Sequence, residues 1–213
     1  MEIRSSGREW NFKESGILAQ LYYYYGAMQS SKSASLLMVA HNYRSQGKDV
    51  LLFSPSIDDR DGVGVISSRA GLSEKAVPVD PDDDFRELVS EWLSKDGNIS
   101  KTIYCILVDE AQFLTKEHIH QLVDLVDFYD IPVMCYGLKN DFQNNLFEGS
   151  EALLINADKI QEIKTICMKE NCGKKAIMNL RLSDGGPVYH GEQIQIGDEE
   201  YVPVCRKHYF DYL

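Results

Sequence analysis

The chain is 213 residues long, with 44% hydrophobic and 26% charged residues, enough for one ordinary core plus a small appendage without a disulfide scaffold. Its formal net charge of -11 creates a long-range field that repels nucleic acid and anionic membranes, so neither is expected as a partner. No apolar run approaches the roughly 20 residues of a bilayer span, and Met1 to Gln20 lacks an apolar signal core, which makes a cytoplasmic setting the expectation.

Residues 1–19 mix charge, Ser and Gly without helical or strand period and read as a flexible N-terminal tail. LYYYY (21–25) reads as a buried strand, Ser33 to Gln46 as a helix with Leu36, Leu37, Val39, Ala40 and Tyr43 on its apolar face, and DVLLFS (49–54) as a second strand. After the loop SPSIDDRDGVG come an extended piece near Val77 and a helix from about Asp84 to Leu93, whose acidic start suits the positive end of the helix dipole. The strongest strand, TIYCILVDE (102–110), is followed by a helix from about Lys116 to Tyr129 and a strand, IPVMCYG (131–137). Short apolar strands separated by helices predict an α/β fold, a mostly parallel sheet covered on both faces. Beyond about residue 160 the helical period gives way to short β-like runs, AIMNLRL, EQIQIG and YVPV. The expected organisation is therefore a tail (1–19), an α/β body (20–160) and a small β-rich subdomain (161–213).

GAMQSSKS, Gly26 to Ser33, stands between the first strand and first helix and matches the phosphate-loop pattern G-x-x-x-x-G-K-S except at Ser31, where the pattern has glycine. In that context the main chain of Gly26, Ala27, Met28, Gln29, Ser30 and Ser31 cradles phosphate oxygens, Lys32 neutralises charge, and the Ser33 hydroxyl reaches a magnesium ion. The apolar strand ending in Asp109 and Glu110 supplies a carboxylate for the same ion, which makes the body a nucleotide-binding, P-loop type of α/β fold. A Cβ at Ser31 adds bulk and, if φ is positive, a torsional cost of about 1 kcal/mol, so a weakened or inactive nucleotide-binding homologue is the alternative reading. On the residues alone Phe113, Leu138 and Phe147 read as core and Arg60 as a surface ion pair. Glu110 is costly to place beside another carboxylate at a buried strand end and reads as functional. His41, His118, His120 and His190 have no partners at ligand or triad spacing.

Of the five cysteines, Cys105 and Cys135 lie inside apolar runs and read as core thiols. Cys167-x4-Cys172 and Cys205-x2-His208 form two close pairs at what read as two hairpin-like turns, the construction of a closed Cys3His zinc site. Four protein ligands leave no open position, so the metal is expected to be structural and to fix residues 173–204.

The chain from about Leu21 to Phe210 resembles the type II, cytosolic, zinc-containing thymidine kinases, the bacterial members in particular. The likeness rests on YGAMQSSKS, DDRDGVG with SSRAG, DEAQF, GLKNDFQNNLFEGS, ADKI with EIKTIC, and YHGEQIQIG with YVPVCRKHYF. It implies transfer of the γ-phosphoryl group of ATP, with Mg2+, to the 5′-hydroxyl of thymidine, usually in a homotetramer inhibited by dTTP. By motif, the resemblance makes Glu110 the general base, Asp109 a magnesium support, and Arg60 and Lys32 the cations on the phosphoryl groups. It also implies an apolar thymine pocket of Met28, Phe113, Leu138, Phe142 and Phe147 with Tyr201 alongside, and a lasso-like loop whose main chain at Gln193, Ile194 and Gln195 reads the base.

Overall fold

The structure, a computed structural model, describes residues 19–94, 102–183, 186–194 and 200–211; the expected tail falls almost wholly outside them. β1 (Leu21–Tyr25) leads into α1 (Lys32–Arg44), followed by β2 (Asp49–Pro55), the hairpin β3 (Val65–Ser67) and β4 (Ser73–Lys75), and β5 (Val77–Val79). Next come α2 (Phe85–Ser94), β6 (Ile103–Val108), a 3-10 turn η1 (Ala111–Phe113), α3 (Lys116–Asp127), β7 (Val133–Gly137) and α4 (Glu148–Asn156). The chain then forms β8 (Lys159–Glu162), β9 (Thr165–Ile166), β10 (Lys175–Ala176), β11 (Met178–Ser183), β12 (Gly186–Val188), β13 (Glu200–Val204) and α5 (Arg206–Phe210).

Six strands make one parallel sheet in the order β5-β2-β6-β7-β1-β8. Alternation along each strand divides its side chains between two cores. Leu51 and Phe53 of β2, Ile106 and Val108 of β6 and Tyr23 of β1 pack with α2, α3 and α4. Val50 and Leu52 point the other way, joining Cys105, Leu107 and Tyr136 beneath Leu36, Leu37 and Ala40 of α1. Helices on both faces are what runs of apolar residues two-sided in their burial require. Asp84 immediately precedes α2, and its carboxylate accepts the Arg86 N–H at 2.8 Å, satisfying one of the free donors of the first turn. Among the described residues no helix is long and apolar enough to cross a membrane.

Several elements differ from their sequence reading. The strand expected to reach Glu110 ends at Val108: Asp109 N–H still donates to Phe53 O at 3.0 Å, but Glu110 turns left-handed with φ 45° and starts η1. The hairpin β3–β4, made of VIS and SEK, and the nine-residue α4 are additional elements. In the C-terminal region β11, β12 and β13 form an antiparallel sheet over a separate small core of Leu180, Val204 and Tyr209. The second ligand pair does not sit on a hairpin turn. Cys205 is the N-cap of the short α5 and His208 lies within that helix, because a helical turn carries residue 208 back over residue 205.

Candidate active site and metal centre

The carboxyl ends of β1 and β6 open on one side of the sheet, the edge at which parallel α/β sheets hold ligands. Gly26 leaves β1 there, and a Cβ on it would stand 2.4 Å from Ile163 O and from Ser30 Oγ, so only glycine lets the loop close. Gln29 and Ser31 both take left-handed conformations, with φ 60° and 64°. Lys32 is buried and its ammonium donates to Ala27 O at 3.1 Å. Burial pulls that ammonium below its ordinary pKa against the opposing pull of Glu110 and Asp109. Met28 N–H donates to Asn179 Oδ1 at 2.8 Å, tying this loop to β11.

Asp109 is 4% exposed, and burial, reinforced by the charge on Glu110, pushes its carboxyl up to about 7. Its Oδ1 is buried without a hydrogen-bond partner. An orphaned carboxylate oxygen beside the Ser33 hydroxyl fits a hard cation with oxygen ligands. Burial would raise Glu110 too, but Arg60, Lys32 and Gln112 outweigh it and hold this carboxyl below the usual range. Arg60 Nη2 donates to Glu110 Oε1 at 2.6 Å, and its Nε and Nη2 fork onto Asp58 at 2.6 and 3.0 Å. Gln112 Nε2 donates to Glu110 Oε2 at 2.5 Å while Gln112 Oε1 accepts Leu138 N–H at 2.9 Å, which fixes the carboxylate from the other side.

These groups line one cavity of about 730 Å³. Met28, Phe113, Leu138, Phe142, Phe147 and Tyr201 form its apolar part, with Gln193 and Ile194 beside them. Phe113 and Phe147 meet edge to face at 5.8 Å. Gln29, Ser31, Lys32, Ser33, Arg60, Asp109 and Glu110 form its polar part, whereas Gly26, Ala27 and Ser30 belong to the loop without lining the cavity. Gln195 lies outside the described residues. Gln193 Nε2 donates to Asp141 Oδ2 at 2.9 Å, and the ring of Phe142 lies 4.8 Å from the Arg181 guanidinium.

Asp58, Gln112, Asp141, Asn179 and Arg69 reach this site or its walls without having been singled out from the sequence. Gln112 had a faint signal, an amide two residues after Glu110 in DEAQF, near enough along the chain for its side chain to reach the carboxylate. Asn179 had a weaker one, a lone amide in an apolar strand, which is buried only when both ends are bonded.

On the far side of β11, Cys167, Cys172, Cys205 and His208 bring their ligand atoms within 4.8 Å of one another. Cys167 Sγ and Cys205 Sγ lie 3.4 and 3.5 Å from His208 Nδ1, and Cys172 Sγ lies 4.0 Å from Cys205 Sγ. Zinc–sulfur bonds of about 2.3 Å in a tetrahedron put sulfurs about 3.8 Å apart, so the cluster is compatible with a structural zinc. Cys105 and Cys135 are fully buried in the two main cores.

The sequence profile of the family described as thymidine kinase matches residues 19–209. A thymidine kinase of Lactobacillus johnsonii is 55% identical over 195 residues, covering 91% of this chain and 97% of the relative. Thymidine kinases of Streptococcus pyogenes and Streptococcus agalactiae are 52% and 53% identical over the same length, each covering 91% of this chain and 98% of the relative. The chain belongs to the thymidine kinase family.

Proposed function

We propose that this kinase transfers the γ-phosphoryl group of ATP to the 5′-hydroxyl of thymidine, giving dTMP and ADP, with Glu110 as general base. The carrying observation is the Glu110 carboxylate, pinned by Arg60 and Gln112 where the polar and apolar halves of one cavity meet. Thymine occupies the apolar half between Met28, Phe113, Leu138, Phe142 and Phe147, with Tyr201 alongside and the Gln193 to Gln195 main chain at its polar edge. The 5′-oxygen then faces Glu110, which accepts its proton as that oxygen bonds to the γ-phosphorus and the bond to the β-γ bridging oxygen breaks. Arg60 stabilises the charge on the transferred group, and as it swings toward phosphate it releases Glu110, whose burial then makes it a stronger base. Main-chain N–H groups of Gly26 to Ser31 and the Lys32 ammonium hold the donor phosphates. Ser33 and Asp109 would hold Mg2+, which supplies charge neutralisation on those phosphates when bound.

The zinc is assigned a structural role, keeping residues 173–204 in register with the pocket, and the chain divides into a kinase body to about residue 160 and a zinc-binding subdomain beyond it. Feedback inhibition by dTTP, a homotetrameric assembly and a cytoplasmic setting complete the proposal, with no part for nucleic acid or membrane. The test is dTMP formation from thymidine and ATP with magnesium, comparing the unaltered chain with Glu110→Gln. Loss of a general base lowers kcat by about 10²- to 10⁴-fold. Wild-type turnover that survives in Glu110→Gln would remove the base from this residue, and better turnover of deoxycytidine would remove thymidine as the substrate.

A further inference from the structure

Among the described residues three cations line the cavity, Lys32, Arg60 and Arg69. Two are occupied within the protein: Lys32 donates to Ala27 O, and Arg60 is held by Asp58 and Glu110. Arg69 is exposed and, among the described residues, its guanidinium makes no hydrogen bond or ion pair. It sits at the tip of the hairpin β3–β4, where Ser68 N–H donates to Leu72 O at 2.8 Å and Gly71 N–H to Ser68 O at 2.9 Å.

That tip is held in place from below. Ile66 is 2% exposed and packs among Leu36, Leu37 and Ala40 of α1, and Glu74 on the second strand pairs with Arg44 at the last turn of the same helix. Ala76 N–H closes the base of the hairpin onto Gly64 O at 2.8 Å. The hairpin therefore rides on the helix whose first residues are Lys32, Ser33 and Ala34, and Ser67, Ser68, Arg69 and Ala70 line the cavity together with those residues. The apolar pocket is built by other segments, Phe113 from η1, Phe142 and Phe147 from the chain after β7, and Tyr201 from β13. An unpaired guanidinium on the phosphate-loop side of a cavity, carried by an anchored hairpin, matches a polyanion, because its planar donors pair with phosphate oxygens.

We infer that Arg69, carried on the β3–β4 hairpin, binds the polyphosphate of the donor nucleoside triphosphate, an assignment that rests on the reading of this cavity as a phosphoryl-transfer site. Arg69 then joins Lys32 and Arg60 as a cation on the donor phosphates. It sets affinity for the donor and leaves the acceptor pocket alone.

The experiment compares wild type, Arg69→Gln and Arg69→Lys in steady-state kinetics and in equilibrium titration with ATP and with adenosine in the presence of magnesium. A charge-assisted pair to phosphate is worth roughly tenfold in affinity, so Arg69→Gln is expected to raise the KM and Kd for ATP by about that factor. The thymidine KM and the adenosine Kd stay within about twofold, and Arg69→Lys recovers part of the loss, a pattern that general loosening of the hairpin does not produce. Unchanged ATP affinity, or an equal loss for adenosine, would overturn the assignment. If wild type binds ATP yet makes no dTMP, the thymidine reading fails while the ATP titration still decides Arg69. Wild type that binds no ATP sinks both.

Discussion

Ser31 sits at φ 64° and ψ 30°, immediately before Lys32 opens α1, and its side chain makes no capping hydrogen bond. An L-residue with a Cβ in this conformation carries about 1 kcal/mol of strain that glycine lacks. Its main chain is nonetheless used: Ser31 O accepts Ser35 N–H at 2.9 Å, the first bond of the helix, so the left-handed turn cannot relax without loosening α1. Ser31→Gly is therefore expected to raise kcat/KM for ATP by about threefold to fivefold, the kinetic equivalent of recovering up to about 1 kcal/mol. Steady-state rates at varied ATP decide it, and an equal or lower value would mean that the hydroxyl itself serves the phosphates. The Ser31 departure was legible in the sequence because the phosphate-loop pattern fixes each position. Glu110 was legible for a similar reason, a second carboxylate at the end of an apolar strand. Arg69 was not, and Asn179 only faintly, because a single polar residue in a loop or strand carries no spacing with which to compare it.

Packing between elements depends on similarly local contacts. In the first turn of α4, an ideal Cβ on Gly149 would lie 2.5 Å from Ala111 O and 2.7 Å from Leu114 O, both main-chain atoms of the η1 segment. The contact lets Phe147, the N-cap of α4, reach Phe113 of η1 edge to face. Gly149→Ala must push the two segments apart, and overpacking of this kind costs about 1–3 kcal/mol. The expected outcome is a lower urea midpoint together with a raised thymidine KM, while ATP affinity is retained because the phosphate loop is untouched. A variant with unaltered midpoint and KM would show that α4 can slide without consequence. The helix itself was hard to see in sequence: its buried residues include Gly149 and Ser150, small positions that give no apolar stripe, while Ile155 is exposed. By contrast the parallel strands were plain, since continuous apolar runs such as Ile103–Val108 have no other soluble placement at that length. The hairpin β3–β4 had no such run, and only its Ile66 is buried.

Across the whole molecule, the region that carries the Cys3His cluster and the α/β body meet at the cavity and are joined by a few polar bonds. Asn179 of β11 is 3% exposed; it accepts Met28 N–H and donates through Nδ2 to Asn140 O at 3.1 Å, joining the phosphate loop and the strand-end loop through one amide. Tyr209 of α5 donates through its hydroxyl to Phe142 O at 2.7 Å, and Gln193 bonds Asp141. The division of labour is uneven. Lys32, Ser33, Asp109 and Glu110 come from the body, whereas Gln193, Ile194 and Tyr201 come from the region that the Cys3His cluster closes. A loop of that length loses its fixed conformation when the staple opens, because ordering it again costs conformational entropy. Zinc removal by a chelator, or Cys172→Ser, is accordingly expected to raise the thymidine KM about tenfold or more while the Kd for ATP changes by less than about threefold. The two constants, measured on protein whose far-ultraviolet circular dichroism shows the body still folded, separate the possibilities. Parallel loss of both would mean that the metal holds the phosphate loop as well, through Asn179 and Met28, and that the two halves of the cavity are a single cooperative unit.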